Sequence, residues 1–512
     1  MKGQTNQWED NIELVTERKF GLFGAVMMGL GAAIGFEVFV LLDYAYFHLA
    51  GPSMISALFL CGFINILTMF SYSELSAAIP KMGGEYTYTK AAFGGLTAFM
   101  AGCLRWLASV FGAALAAIVF TRQLGYFFSI LVPMSRSFIL VNTPLIVAIL
   151  VIILAVLDIR GVKEVTTLIV GAFLAIFVFF LANGLSHGIA PPEVLPTPSF
   201  GGLSGFFAAT AYTFTMFVGM RALVAGAPQI KDPGKNVPKA LLLSTVLLIA
   251  VYCSVAYVAV GVVPLGDYDE PFLNLAAANI MGGIGGILFA VAGMVASVSS
   301  VATAMMVQSS LLGGMSRDGY LPKVLLRVHR RFGTRYVAVI ASSLFVIMFS
   351  VIGAVEFLGY AASFGSLLVF ALVNLSLMKL REKEPHLKRP FKAPLYPLTP
   401  IAGIVLSFLL LVFPMILRDV NAESALISSL GLVALVLATY YLRMVGRYRL
   451  RVAMGGVSLG MGILLALLAY LSETSFELLI IRRFPPSVLV FVSAVSILAG
   501  ILNITAHARK IF

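Results

Sequence analysis

The stretch Gly29-Leu30-Gly31-Ala32-Ala33-Ile34-Gly35-Phe36-Glu37 holds the residue types most able to do chemistry in this chain. Three glycines at spacings of two and four work against a continuous helix, since each costs roughly 1 kcal/mol relative to alanine in a helix interior. A carboxylate, Glu37, follows at once, inside an apolar run from Phe20 to Leu42. In a bilayer such a charge is expensive unless it is paired or lines a polar cavity. A helix loosened beside a charge frees backbone N–H and C=O groups at membrane depth, where they can hold an ion or a polar ligand. The competing reading is that these glycines are small-residue packing positions against a neighbouring helix.

The pattern recurs once. Phe217-Val218-Gly219-Met220 runs into the charge Arg221, with Gly226-Ala227-Pro228 close behind, again within an apolar run. A third intramembrane charge, Arg105, stands beside Trp106. Glu37 is expected to pair with Arg221 or with Arg105, because a buried charge that loses its partner is stranded at about 3–5 kcal/mol. Alternatively, Arg221 reaches a helix carbonyl or extends to the membrane surface. Glu37 is also a candidate proton carrier. A further apolar run carries Ser297, Ser299, Ser300 and Thr303, of which the last three place hydroxyls at helical spacing; such groups commonly bond a carbonyl of their own helix or pack on a neighbour.

These groups must be positioned by membrane helices. Of 512 residues, 60% are hydrophobic and 11% charged, with a mean hydropathy of +1.00, too few charges to cover a soluble protein of this length. At about 20 residues per span, the apolar runs separate into about fourteen helices, so the expected class is an all-α polytopic membrane protein. The net charge of +12 suggests nucleic acid at first sight, but its distribution argues otherwise. With the N-terminus on the cytoplasmic side, roughly 28 Lys and Arg residues fall in cytoplasmic segments and about 5 in external ones, the positive-inside pattern. Both termini are then expected in the cytoplasm, with lipid rather than nucleic acid as the partner. Residues 1–19 are polar and of mixed charge, so no cleaved signal peptide is expected.

Other classes find little support. No Gly-rich nucleotide loop of the GxxxxGK[ST] kind is present, which argues against ATP-driven pumping. Cys61, Cys103 and Cys253 all lie in apolar runs, and the five His residues are scattered, so no disulfide framework, metal or other cofactor is indicated. No nucleophile elbow appears, and no enzyme is expected. A membrane sensor is expected to append a soluble signalling domain, whereas the tails are about 19 and 6 residues.

Two blocks of five spans organise the chain. The tail 1–19 precedes a first block over 20–190 and a second over 200–380, with four nearly uniformly apolar spans in 381–512. Each block opens with an interrupted span. The first starts inside and the sixth outside, so the halves have opposite topology, the sequence pointer to an inverted-repeat transporter. Between them lies a Pro-rich loop, Pro191 to Pro198, which reads as extended linker. An acidic loop, Asp267 to Pro271, is expected to lead into a short amphipathic helix. Glu74, Asp158 and Glu356 sit at span ends and read as interfacial; Tyr72 reads as part of an aromatic belt.

Across roughly residues 18–415 the chain resembles the amino acid–polyamine–organocation transporter superfamily. The resemblance rests on Gly31-Ala-Ala-Ile-Gly35 with Phe39, and on Tyr72-Ser-Glu-Leu-Ser-Ala-Ala-Ile-Pro80 leading to Gly83-Gly84-Glu85-Tyr86. Lys231-Asp232-Pro233 with Asn236-Val237-Pro238, Ser316-Arg317-Asp318-Gly319-Tyr320-Leu321-Pro322 and Arg389-Pro390-Phe391-Lys392 follow in order. It implies a leucine-transporter-type fold of five-plus-five inverted repeats with two spans beyond the usual twelve, and secondary transport of amino acids or related amines. It further implies a substrate site along Gly31, Ala32, Ala33, Ile34, Gly35, Phe36 and Glu37, and along Phe217, Val218 and Gly219, with Phe217 as a hydrophobic gate. In that pattern the first broken helix offers N–H groups to a substrate carboxylate and the sixth offers carbonyls to its amine. In sodium-coupled relatives of the fold, hydroxyls like those of Ser299, Ser300 and Thr303 hold a sodium ion.

Three departures stand out. Glu37 occupies a position usually held by glycine, where a substrate carboxylate would bind. Arg221 stands near a position that is acidic or neutral in some members. The lysine that some proton-coupled members carry near Ile176 is missing. The expectation is therefore a cell-membrane transporter working by alternating access, either coupled to H+ or Na+ or running as an exchanger. A carrier of organic or inorganic cations is the alternative. Oligomeric state is left open.

Overall fold

The computed structural model describes residues 20–80, 83–131, 135–160, 166–186, 202–266, 268–416 and 420–440, with 456–463, 493, 496–497 and 501 beyond them. The tail 1–19, the loop Pro191 to Pro198, Lys163 and most of the expected thirteenth and fourteenth spans lie outside the described residues. Among those described, the secondary structure is helical, with one isolated bridge between Phe20 and Ile230 and no strand. Helices satisfy their own backbone hydrogen bonds, which apolar segments in a bilayer must do. Seven stretches among the described residues are long and apolar enough to cross a membrane, and shorter apolar helices such as Leu22–Ala33 and Thr143–Ile159 accompany them.

The first apolar run forms two short helices, α1 (Leu22–Ala33) and α2 (Glu37–Tyr44), separated at Ile34 to Phe36. A π-helical turn, Ala45–Ala50, leads through Gly51 to α3 (Met54–Ala78). The expected hairpin loop contains a helix of its own, α4 (Glu85–Phe93), before the 37-residue α5 (Gly95–Leu131). After α6 (Ser135–Val141) come α7 (Thr143–Ile159) and α8 (Thr166–Ser186).

The expected sixth span is also divided. It forms α9 (Gly202–Thr213), a 3-10 segment Phe214–Met220, and the five-residue α10 (Arg221–Ala225). α11 (Pro233–Val262) starts earlier than its apolar run, with Pro233 in its first turn, where a missing N–H costs nothing. α12 (Phe272–Arg317) turns at Gly282, whose φ of 69° separates the expected short helix from a span. α13 (Tyr336–Ile352), α14 (Val355–Lys383), α15 (Leu398–Ile416) and α16 (Val420–Tyr440) complete the described helices.

The long α5 lies at the centre, packed against α12 and α14; α3 and α1 pack on α11. Around this core, α7 turns Leu145, Ile149, Ile152 and Val156 outward, a stripe at three- and four-residue spacing suited to lipid. On the side where α3 and α14 end, the interfacial reading of Glu74 fails. Its carboxylate is fully buried, bound by Arg381 at 2.5 and 2.9 Å, by Arg389 at 3.2 Å and by the N–H of Ala393 at 2.7 Å. Three donors replace the water that a carboxylate at a span end would otherwise keep.

Candidate functional site

The two helix breaks touch. At the end of α1, Ile34 adopts an extended ψ of 93° while its N–H still bonds the Leu30 carbonyl at 2.7 Å. Opposite it, Gly219 in the 3-10 segment lies against the Ala32 carbonyl and 2.5 Å, from where a Cβ would be, to the Cα of Ala33. Any side chain there would collide with backbone. Tyr252 of α11 braces the contact: its hydroxyl donates to the Ala33 carbonyl at 2.7 Å and lies 3.5 Å from that of Met216.

The early glycines differ in what surrounds them. Gly29 is a packing position, where a Cβ would meet Leu223 and Ser244 at 2.7 and 2.8 Å. Gly35 lies against polar groups instead. A Cβ on it would lie 2.5 Å from Glu37 Oε2 and 2.8 Å from Ser300 Oγ, so its bare Cα leaves room for both polar groups. The Glu37 carboxylate folds back onto its own backbone N–H at the start of α2.

These groups border a cavity of about 280 Å³ between α1, α2, α5, α12 and the second broken span. Of the expected residues, Gly31, Ala32, Ile34, Phe36, Glu37, Arg105, Val218, Gly219, Arg221, Ser299, Ser300 and Thr303 border it. Ala33 and Gly35 stand just behind the wall. Phe217, expected as a gate, does not reach the cavity. It is buried edge-on against Tyr252 with ring centres 5.4 Å apart, and the aromatic side chains on the wall are Phe36 and Phe173. Ser297 of the same helix is buried and donates to the Gly293 carbonyl at 2.8 Å.

The charges are arranged differently from the expected pair. Among the described residues, neither arginine makes an ion pair with Glu37. Both approach Glu85, at the start of α4: Arg221 Nε at 3.4 Å and Arg105 Nε at 3.9 Å from the same Oε1. Tyr72 donates its hydroxyl to that oxygen at 3.0 Å. Tyr72 is therefore fully buried beside the site and belongs to no aromatic belt. Arg221 also reaches its own helix, donating to the Val218 carbonyl at 3.2 Å, as the alternative reading anticipated, and to Ser366 at 3.3 Å. Its guanidinium lies 5.4 Å from the centre of the Phe370 ring, and its Nη1 is buried without a hydrogen-bond partner among the described residues.

Glu85 is the site residue that sequence reasoning missed. It sits in a polar hairpin and so reads as solvated; the available signal was its place after Gly83-Gly84. Both glycines take positive φ (110° and 48°), turning the chain so that α4 starts against the cavity.

A polar cavity between two broken helices, enclosed by apolar spans, has the build of a membrane transporter site. The sequence profile described as "Amino acid permease" matches residues 20–438, and the chain belongs to this family, within the amino acid–polyamine–organocation superfamily. It is 29% identical over 420 residues to the branched-chain amino acid permease BcaP of Bacillus subtilis, covering 77% of this chain and 87% of the relative. It is 28% identical over 418 residues to the methylthioribose transporter of the same organism, covering 77% and 88%. The vacuolar cationic amino acid transporter 2 of Arabidopsis thaliana is 27% identical over 376 residues, covering 70% and 59%.

Proposed function

We propose that the chain is a secondary transporter that moves an amino acid or a related amine across the cell membrane by alternating access about the cavity between its two broken spans. The observation that carries this reading is the backbone contact of Gly219 with Ala32 and Ala33 at the cavity wall. Two interrupted helices braced against each other leave backbone groups and the side chains of Glu37, Ser299, Ser300 and Thr303 facing a space of amino-acid size.

In this reading α1 to α8 and α9 to α14 are the two inverted halves, and the full chain has about fourteen spans with both termini cytoplasmic. The basic loops 317–335 and 379–392 support that orientation. The coupling ion is a proton carried by Glu37, or sodium held by Ser299, Ser300 and Thr303; otherwise transport is exchange. Similarity alone does not select the substrate, since a branched-chain permease and a methylthioribose transporter match almost equally well.

A second reading, a carrier of organic cations, is favoured by one observation. Glu37 puts a carboxylate where the backbone would otherwise bind a substrate's anionic group.

Uptake by purified protein in proteoliposomes tests both. Labelled amino acids and labelled amines are offered under an inward proton gradient, a sodium gradient, or with counter-substrate loaded inside. Amino acid uptake under any of these supports the first reading. Amine uptake alone selects the second, and no flux under any condition overturns both.

A further inference from the structure

The cavity holds ionisable groups short of partners at two separate places. Toward the start of α4, two guanidiniums, Arg105 and Arg221, share the single carboxylate of Glu85, which leaves one positive charge over. Arg105 makes no hydrogen bond among the described residues; its only partner is Glu85 at 3.9 Å, and its guanidinium borders the open space. Arg221 adds a buried Nη1 without a partner. Elsewhere on the wall, beside Gly35 and Ser300, Glu37 offers a carboxyl group with no cation paired to it among the described residues. Its carboxylate already covers the backbone N–H at the start of α2. A substrate carboxylate arriving there would meet a second carboxylate, and like charges at close range repel.

We infer that the substrate is a zwitterion that docks with its ammonium at Glu37 and Ser300 and its carboxylate at Arg105, giving each group the partner it lacks among the described residues. This rests on the amino acid transport proposed above and specifies how the site takes its substrate. The ammonium meets the Glu37 carboxylate and the substrate carboxylate meets the guanidinium in excess over Glu85, so docking leaves the total charge unchanged and gives each group a local partner. Arg105, with five donors in a fixed fork and none of them hydrogen-bonded, suits a carboxylate in two-point contact. A substrate with only an amine leaves the guanidinium charge uncompensated, and one with only a carboxylate leaves Glu37 so. Either loses one complete charge pair.

The test is binding to the purified full-length protein in detergent, read by displacement of a labelled mixture of neutral amino acids. Competitors are leucine, the amine left when leucine loses its carboxylate, and the acid left when it loses its amino group. The expected result is that leucine displaces the label and each truncated compound does so at least about 30-fold more weakly. Two variants separate the docking directions. Glu37→Gly should weaken amino acid binding by a similar factor, since it removes the ammonium partner; if it tightens binding instead, the carboxylate sits at α2 and the inference falls. Arg105→Gln should weaken leucine about 30-fold while leaving the affinity for the amine within about threefold, and Arg105→Lys should recover part of the loss. Equal loss for leucine and amine in Arg105→Gln, with the thermal midpoint lowered and no recovery in Arg105→Lys, means a structural role and overturns the assignment. If the wild-type protein binds no amino acid at all, the transport reading itself fails, which is a distinct result from a site that binds in the other direction.

Discussion

Glu74 of α3 and Arg381 of α14 form a two-pronged ion pair, Oε1 to Nε at 2.9 Å and Oε2 to Nη2 at 2.5 Å, with the carboxylate fully buried. Arg389 and the Ala393 N–H complete its shell, so one carboxylate ties α3 to the end of α14 and the segment beyond it. Removing it strands two guanidiniums. Glu74→Ala is expected to lower stability by about 3–5 kcal/mol, read as a fall in the thermal unfolding midpoint in detergent. Glu74→Gln should recover only part of this, because the amide keeps an acceptor but loses the charge. An unchanged midpoint in Glu74→Ala would show that the pair contributes nothing.

The contact between the helix breaks should be intolerant of any side chain. In Gly219→Ala the new Cβ meets the Ala32 carbonyl and the Ala33 Cα, and backbone cannot rotate away as a side chain end can. A cost of at least about 1–3 kcal/mol is expected, together with loss of transport in proteoliposomes. Gly112, which has open space around it, serves as the control: Gly112→Ala should keep its thermal midpoint. Normal transport by Gly219→Ala would show that the breaks separate during the cycle.

Tyr252 offers a milder probe of the same contact. Tyr252→Phe removes the hydrogen bond to Ala33 and leaves that buried carbonyl short of a donor, at a cost of about 1–3 kcal/mol. The expected readout is a modest fall in the thermal midpoint with a larger fall in uptake rate. A change in stability with transport unaltered would place Tyr252 in the scaffold alone.

Glu85 holds two arginines and the Tyr72 hydroxyl. Glu85→Gln should destabilise by about 3 kcal/mol or more, since the buried Arg221 is left without its carboxylate. Tyr72→Phe removes only a donor to that carboxylate and should cost about 1 kcal/mol. The ordering of the two midpoints is the check. Equal effects would mean that the charge contacts are not what holds α4 in place.

The loop side of α4 carries a pH signature. The Tyr86 hydroxyl donates to Asp318, which also takes Lys90 Nζ at 2.7 Å. Burial pushes the Tyr86 phenol well above its ordinary value, and the Asp318 carboxylate pushes it further. A group whose value is raised on folding contributes stability below the unfolded value, near 10 for tyrosine, and loses it as the pH climbs above that. The native protein should therefore destabilise on going from about pH 9 to pH 11, and less steeply in Tyr86→Phe. The difference in 295 nm absorbance between the two proteins should stay flat over the same range while both are folded. A tyrosinate signal from Tyr86 near pH 10 would contradict the burial argument.

Much of this was legible in the chain itself. Apolar runs of about 20 residues announce membrane helices because a bilayer admits little else. The breaks at Ile34 to Phe36 and Phe214 to Met220 follow from glycines and charges placed inside such runs, a local matter of helix cost. Hence most of the expected wall residues, from Gly31 to Arg221 and the hydroxyls of α12, do border one cavity. Which charge meets which was not local. Arg221 could satisfy itself with Glu37 or with any other carboxylate, and only the folding of α4 over the cavity brought Glu85 to it. Tyr72 and Glu74 read as boundary residues because they stand near the end of a span. What buries them is supplied from elsewhere in the chain, by Glu85 in one case and by Arg381 and Arg389 in the other. Phe217 turned toward Tyr252 rather than the cavity for the same reason, since a helix break determines that the backbone opens but not which neighbour takes each side chain. Composition and spacing determined that the chain builds apolar membrane helices and where it interrupts them; contacts between separate helices decided how its charges are shared.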